Sequence, residues 1–142
     1  MHENLIFYAD DDKDELFIFE EAVKEIDIAL QTFHGGEVLL HALNHPPPLP
    51  RLVFVDLKMP ILDGYDVIKA VRSSDLIKYV PIVVFSTSKN IDTISKCMSL
   101  GANLYITKPM SLELTIKAIQ FTLCIDWDNF HPTLEQFYYK PE

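Results

Sequence analysis

Short apolar runs alternate with helical stripes along this chain. Residues 4–9 (NLIFYA) have strand length, and from about Lys13 the apolar residues Leu16, Phe19, Val23 and Ile26 recur on one helical face. A weaker, more polar strand follows over 28–33. A short helix over 35–44 then runs into the stiff connector PPPLP at 46–50. The third strand, 52–56, is apolar until it reaches Asp56. Its helix starts near Gly64 and carries Val67, Ile68 and Val71. PIVVF at 81–85 predicts a fourth strand, and Ile91, Ile94, Cys97 and Met98 a fourth helix that stops at Gly101. A fifth strand over 103–107 precedes a last helix with Leu112, Ile116, Ile119 and Leu123 in one stripe and Ser111 as its N-cap.

Strands that alternate with helices in this way predict an α/β fold, a parallel sheet covered by helices on both faces. With short, right-handed connections, the expected architecture is an open, doubly wound five-stranded sheet of order 2-1-3-4-5. The 142 residues leave room for one domain of ordinary size. That domain is placed at 1–123, and the aromatic-rich stretch 124–142 is read as a tail, too short to be an output domain. Trp127, Phe130, Phe137, Tyr138 and Tyr139 argue against a plain disordered end. Two readings stay open for it: folding back on its own domain, or a dimer or partner contact extending the last helix.

The net charge of −9 argues against a broad basic face and hence against direct nucleic-acid binding. No apolar run is long enough to insert in a membrane, and no secretory signal is visible, so a cytoplasmic location is expected. Cys97 and Cys124 lack CxxC spacing and are read as buried free thiols in a reducing compartment.

Charge matters more where it is concentrated. Asp10 and Asp11 end the first strand and Asp56 ends the third. In a sheet of this order, ligands bind beyond the carboxyl ends of the strands, where the strand order reverses, here between strands one and three. Three carboxylates in one crevice call for a cation, and an all-oxygen donor set suits Mg²⁺. Ser86 ends the fourth strand and Lys108 follows the fifth, on the same edge. A metal, a lysine and a hydroxyl around one carboxylate suit phosphoryl transfer, with Asp56 as nucleophile. Lys108-Pro109 is a candidate cis peptide that would aim the ammonium inward.

The acid pair in YADDD, Asp56 in VDLKMPILDG, Ser86 in PIVVFSTS and Lys108-Pro109 in GANLYITKPM together resemble the receiver domain of bacterial two-component response regulators. The resemblance implies a flavodoxin-like receiver fold and a phosphoacceptor, Asp56, charged by a histidine kinase or histidine phosphotransfer protein. It implies Mg²⁺ ligated by Asp11 and Asp56, by Asp10 through water, and by the backbone carbonyl of Lys58. It implies a switch pair, Ser86 and Tyr105, and signalling by docking to a downstream protein target. The surface of the fourth helix, fifth strand and fifth helix, or the tail, is also a candidate homodimer contact. The chain is expected to be no enzyme in the ordinary sense, although Mg²⁺-dependent self-phosphorylation from small donors and self-dephosphorylation are implied. Lys58 and Ser88 are expected to set the lifetime of the acyl phosphate.

Rival readings carry less. An aspartyl-nucleophile phosphatase needs a second acid two residues after Asp56, where Lys58 stands. A nucleotide fold lacks its motif, since the four glycines form neither GxGxxG nor a P-loop. A pseudo-receiver that binds partners without phosphorylation, and an intermediate phosphate carrier in a relay, remain alternatives. Asp63 is read as a turn or capping acid and His41/His45 as surface histidines.

Overall fold

The computed structural model describes residues 3–141. Five strands and five helices alternate as β1 (Glu3–Ala9), α1 (Lys13–Val23), β2 (Ala29–Phe33), α2 (Gly36–Leu43), β3 (Pro50–Val55), α3 (Gly64–Arg72), β4 (Ile82–Ser86), α4 (Ile91–Leu100), β5 (Leu104–Thr107) and α5 (Leu112–Leu123). A single turn of 3₁₀ helix at Trp127–Asn129, a short helix α6 (Leu134–Phe137) and a two-residue strand β6 (Tyr138–Tyr139) follow. The sheet is parallel throughout, with order β2-β1-β3-β4-β5-β6.

Period-two alternation divides the core into two layers. Phe7, Val53, Val55, Ile82, Val84 and Tyr105 face α2, α3 and α4, where Leu39, Leu43, Val67, Ile68, Val71 and Ile94 meet them. Ile6, Tyr8, Leu52, Phe54, Val83, Phe85 and Ile106 face α1 and α5 and pack on Leu16, Phe19, Ala118 and Ile119. Both faces of the central strands are covered, which is why those strands read as unbroken apolar runs.

Local signals set the helix starts. Asp12, Asn90 and Ser111 cap α1, α4 and α5 with their side-chain oxygens. Asp63 forms a reciprocal capping box with Asp66 at α3. Gly101 closes α4 at φ 108°, a left-handed conformation that favours glycine.

Three expectations need correction, and one of the two readings of the tail is met. The sheet has six strands, because the tail turns back after α5 and lays β6 along the edge of β5, pairing Tyr105 with Tyr138 and Ile106 with Tyr139. Phe137, ahead of β6, is fully buried in the α2/α3/α4 layer, so of the two readings left open for the tail the structure has it folded back on its own domain. Cys97 is buried, whereas Cys124 is exposed at the end of α5. Among the described residues the cis bonds are Pro46–Pro47 and Pro47–Pro48, not Lys108–Pro109. No described helix is long and apolar enough to cross a membrane.

Candidate functional site

β1 and β3 are neighbours, with Ala9 opposite Val55, so the residues just past their ends emerge side by side. The Asp56 N–H donates to the Ala9 carbonyl at 3.0 Å and fixes that adjacency beyond the last strand residue. Asp10, Asp11 and Asp56 each present a carboxylate oxygen, all within 4.8 Å of one another. Unit charges at that spacing repel by roughly 3–4 kcal/mol per pair at an effective dielectric of about 20. Asp10 is wholly buried, Asp56 nearly so, and Asp11 faces solvent.

Lys108 supplies the nearest compensation. Its backbone N–H donates to the Ser86 carbonyl at 2.8 Å, tying the ends of β4 and β5 together. Its ammonium reaches back across the crevice to Asp10 Oδ2 at 2.8 Å, with Asp56 Oδ1 at 3.6 Å and Glu15 Oε2 at 3.8 Å. Burial alone would lower the Lys108 pKa. The bond to Asp10 and the charges of Asp56, Asp10 and Glu15 outweigh it and leave the group above its ordinary value. Asp56 shows the opposite balance. Burial pushes its carboxyl up to about 6, helped by the charges of Asp10 and Asp11 and opposed by Lys108 and the Leu57 N–H. A carboxylate that is hard to ionise beside two others has an electrostatic demand for a cation.

Tyr8 also belongs to this crevice. It lies two residues before Asp10, on the same face of β1, and its hydroxyl donates to Asp10 Oδ2 at 2.6 Å. Its ring sits among Phe19, Phe54 and Phe85. Burial first, and then the charge and hydrogen bond of Asp10, raise the phenol well above its ordinary pKa, so it stays a donor. Neither Tyr8 nor Glu15 is among the site residues that the sequence motifs single out. The signal was available in Tyr8: a hydroxyl-bearing aromatic in phase with Asp10 on a buried strand.

The other predicted residues lie around the same rim. Ser86 is buried at the end of β4, its Oγ accepting from the Ser88 N–H at 3.3 Å, while Thr87 beside it is exposed. Asp11, Lys58, Ser86 and Ser88 line one open cavity of about 490 Å³ with Met59, Asp63, Tyr65 and Thr93. Tyr105 is fully buried. Its hydroxyl donates to the Ser88 carbonyl at 2.7 Å, and its ring meets Tyr138 edge-on at 5.9 Å. Gly64 holds the β3–α3 loop close, since a Cβ there would lie 2.6 Å from the Asp56 carbonyl oxygen. Away from this edge, the His41 and His45 rings stack at 4.2 Å, and His45 Nδ1 is taken up by the His41 carbonyl oxygen. Among the described residues, only the three aspartates form a group of three or more side chains able to hold a metal. Their hard oxygen donors fit Mg²⁺ or Mn²⁺ better than a softer metal.

Comparison with known proteins gives the family. The family model for the response regulator receiver domain matches residues 6–120. The response regulator Rcp1 of Synechocystis sp. PCC 6803 is 28% identical over 123 residues, spanning 82% of this chain and 84% of Rcp1. The probable methanogenesis regulatory protein FilR2 of Methanothrix harundinacea is 37% identical over 65 residues, which span 46% of this chain and 42% of FilR2. The crystal structure of the phosphorylated cyanobacterial phytochrome response regulator RcpA has a TM-score of 0.76 at 27% identity, covering 93% of this chain and 98% of that one. The Mn²⁺-bound form of Rcp1 has a TM-score of 0.74 at 26% identity, covering 92% and 100%.

Proposed function

The chain belongs to the response regulator receiver domain family, and from that premise we propose that it accepts a phosphoryl group on Asp56 and signals by docking to a partner protein. The observation that carries this reading is the gathering of Asp10, Asp11 and Asp56 with the Lys108 ammonium at the carboxyl edge of the sheet. The donor is a phosphohistidine of a kinase or phosphotransfer protein. An Asp56 carboxylate oxygen bonds to phosphorus while the donor's P–N bond breaks, its electron pair leaving on the imidazole, which takes a proton.

Asp11, Asp56 and the Lys58 backbone carbonyl would hold Mg²⁺, with Asp10 acting through water. When bound, the ion supplies charge neutralisation of the phosphoryl oxygens. Lys108 holds a further phosphoryl oxygen as a point charge, and buried Ser86 offers its hydroxyl. Lys58 and Ser88, on the wall of the same cavity, tune the lifetime of the acyl phosphate.

A protein donor is supported by the apolar rim nearby. Phe17, Ile18, Met110 and Leu112 are exposed around a shallow cavity between α1 and the β5–α5 loop, beside Lys108. For output we assign the switch to Ser86 and Tyr105. Tyr105 stands in a buried position against Tyr138, so the surface that reads phosphorylation includes the tail as well as α4, β5 and α5.

Incubation with Mg²⁺ and acetyl phosphate followed by intact-mass measurement tests the proposal. One phosphate is expected on the wild type and none on Asp56→Asn. An unmodified wild type would favour a partner-binding domain that is never phosphorylated.

A further inference from the structure

We infer that Tyr8 is a positioning residue that releases Lys108 from Asp10 when Asp56 is phosphorylated. The inference rests on the reading of Asp56 as acceptor. It starts from the partners of a fully buried carboxylate. Asp10 Oδ1 accepts from the Asp12 N–H at 3.0 Å. Asp10 Oδ2 accepts twice, from the Tyr8 hydroxyl at 2.6 Å and the Lys108 ammonium at 2.8 Å.

Lys108 is therefore held on the wrong acid for its task. It is bonded to Asp10 and stands 3.6 Å from Asp56 Oδ1, where the phosphoryl group would arrive. To meet a phosphoryl oxygen the ammonium must loosen its bond to Asp10. Without a second donor, that motion would strand Oδ2 of a wholly buried carboxylate, and a buried charged acceptor without a partner is costly. Tyr8 removes this obstacle in two ways. It shares Oδ2 with Lys108 beforehand, weakening the bond that must loosen, and it remains as the donor afterwards. Its ring cannot follow Lys108, because Phe19 lies 4.4 Å away, Phe85 5.8 Å and Phe54 6.5 Å between centroids. Phenylalanine at this position would fill the aromatic pocket and lack only the donor.

The test compares wild type, Tyr8→Phe, Lys108→Met and the double variant, each first shown to unfold cooperatively. The rate of phosphorylation by acetyl phosphate is measured at saturating Mg²⁺, together with the half-saturating donor concentration and, by calorimetry, Mg²⁺ binding. Tyr8→Phe is expected to slow the maximal rate roughly tenfold, with half-saturation and Mg²⁺ affinity each changed less than about threefold. In the Lys108→Met background Tyr8→Phe should change the residual rate less than about twofold, because no ammonium remains to be released. If Tyr8→Phe fails to fold, a ring-fluorinated tyrosine at position 8, a stronger donor, should raise the rate. An unchanged maximal rate, or an equal loss in the Lys108→Met background, overturns the role of Tyr8 while leaving Asp56 as acceptor. A wild type that takes up no phosphate overturns both.

Discussion

The energetic cost of holding Asp56 in this crevice has a measurable sign. In the metal-free protein its carboxyl titrates near 6 rather than 3.8, because burial and the neighbouring acids outweigh Lys108. A raised acid binds its proton more tightly folded than unfolded. As pH rises from about 4 to about 6, the unfolded chain releases this proton before the folded chain does, and folding stability falls. The displacement, 6 − 3.8, is about two units, or ~3 kcal/mol at 1.36 kcal/mol per unit. Asp56→Asn removes that penalty. In a chelator at pH 7 the variant should be more stable than wild type by ~3 kcal/mol, roughly 10 °C in Tm for a domain of this size. Below pH 4, where the wild-type carboxyl is protonated in both states, the gap should close. Adding Mg²⁺ should narrow the gap at pH 7 from the wild-type side, since the ion binds the ionised carboxylate. Thermal or urea unfolding across pH 3.5–8, with and without Mg²⁺, reads all three effects. A gap that stays constant between pH 4 and pH 7 in chelator would refute the electrostatic account of the site.

Other consequences can be checked on stability or lifetime. Ile61 sits at φ 70° in the β3–α3 loop, where the Leu62 N–H donates to the Pro60 carbonyl at 2.8 Å across a strained γ-turn. Ile61→Gly should therefore stabilise the fold by about 1–2 kcal/mol in urea unfolding, and a loss would contradict the strain. Phe137→Ala should cost about 3–5 kcal/mol, because this tail residue is fully buried in the main core. A cost below ~1 kcal/mol would mean the tail is not docked in solution. Lys58→Ala and Ser88→Ala should each change the rate of acyl phosphate loss, followed by the decay of the phosphate adduct. Unchanged rates for both would remove their assignment as lifetime residues.

The legible parts of this protein were those with repeated or well-placed signals. Runs such as PIVVF and LVFVD needed both faces covered, which pointed to a parallel sheet, and strand order then brought distant acids to one edge. The parts that escaped were those with one signal each. Tyr138–Tyr139 is too short to show a period of two, so the sixth strand looked like tail until its pairing with Tyr105 and Ile106 was visible. Cys124 directly follows Leu123, the last residue of the α5 stripe, and as the residue that caps the end of α5 it is exposed. Tyr8 was hidden by its own ring: most of that side chain is ordinary core, and only its terminal oxygen belongs to the site.

Borohydride trapping of the charged protein gives the most direct answer. Reduction of an aspartyl phosphate yields homoserine at the residue that carried it, and peptide mass mapping then locates the change. After incubation with Mg²⁺ and acetyl phosphate, homoserine is predicted at position 56. Homoserine at position 10 or 11, or none anywhere in a chain that had gained phosphate, would contradict the assignment of Asp56.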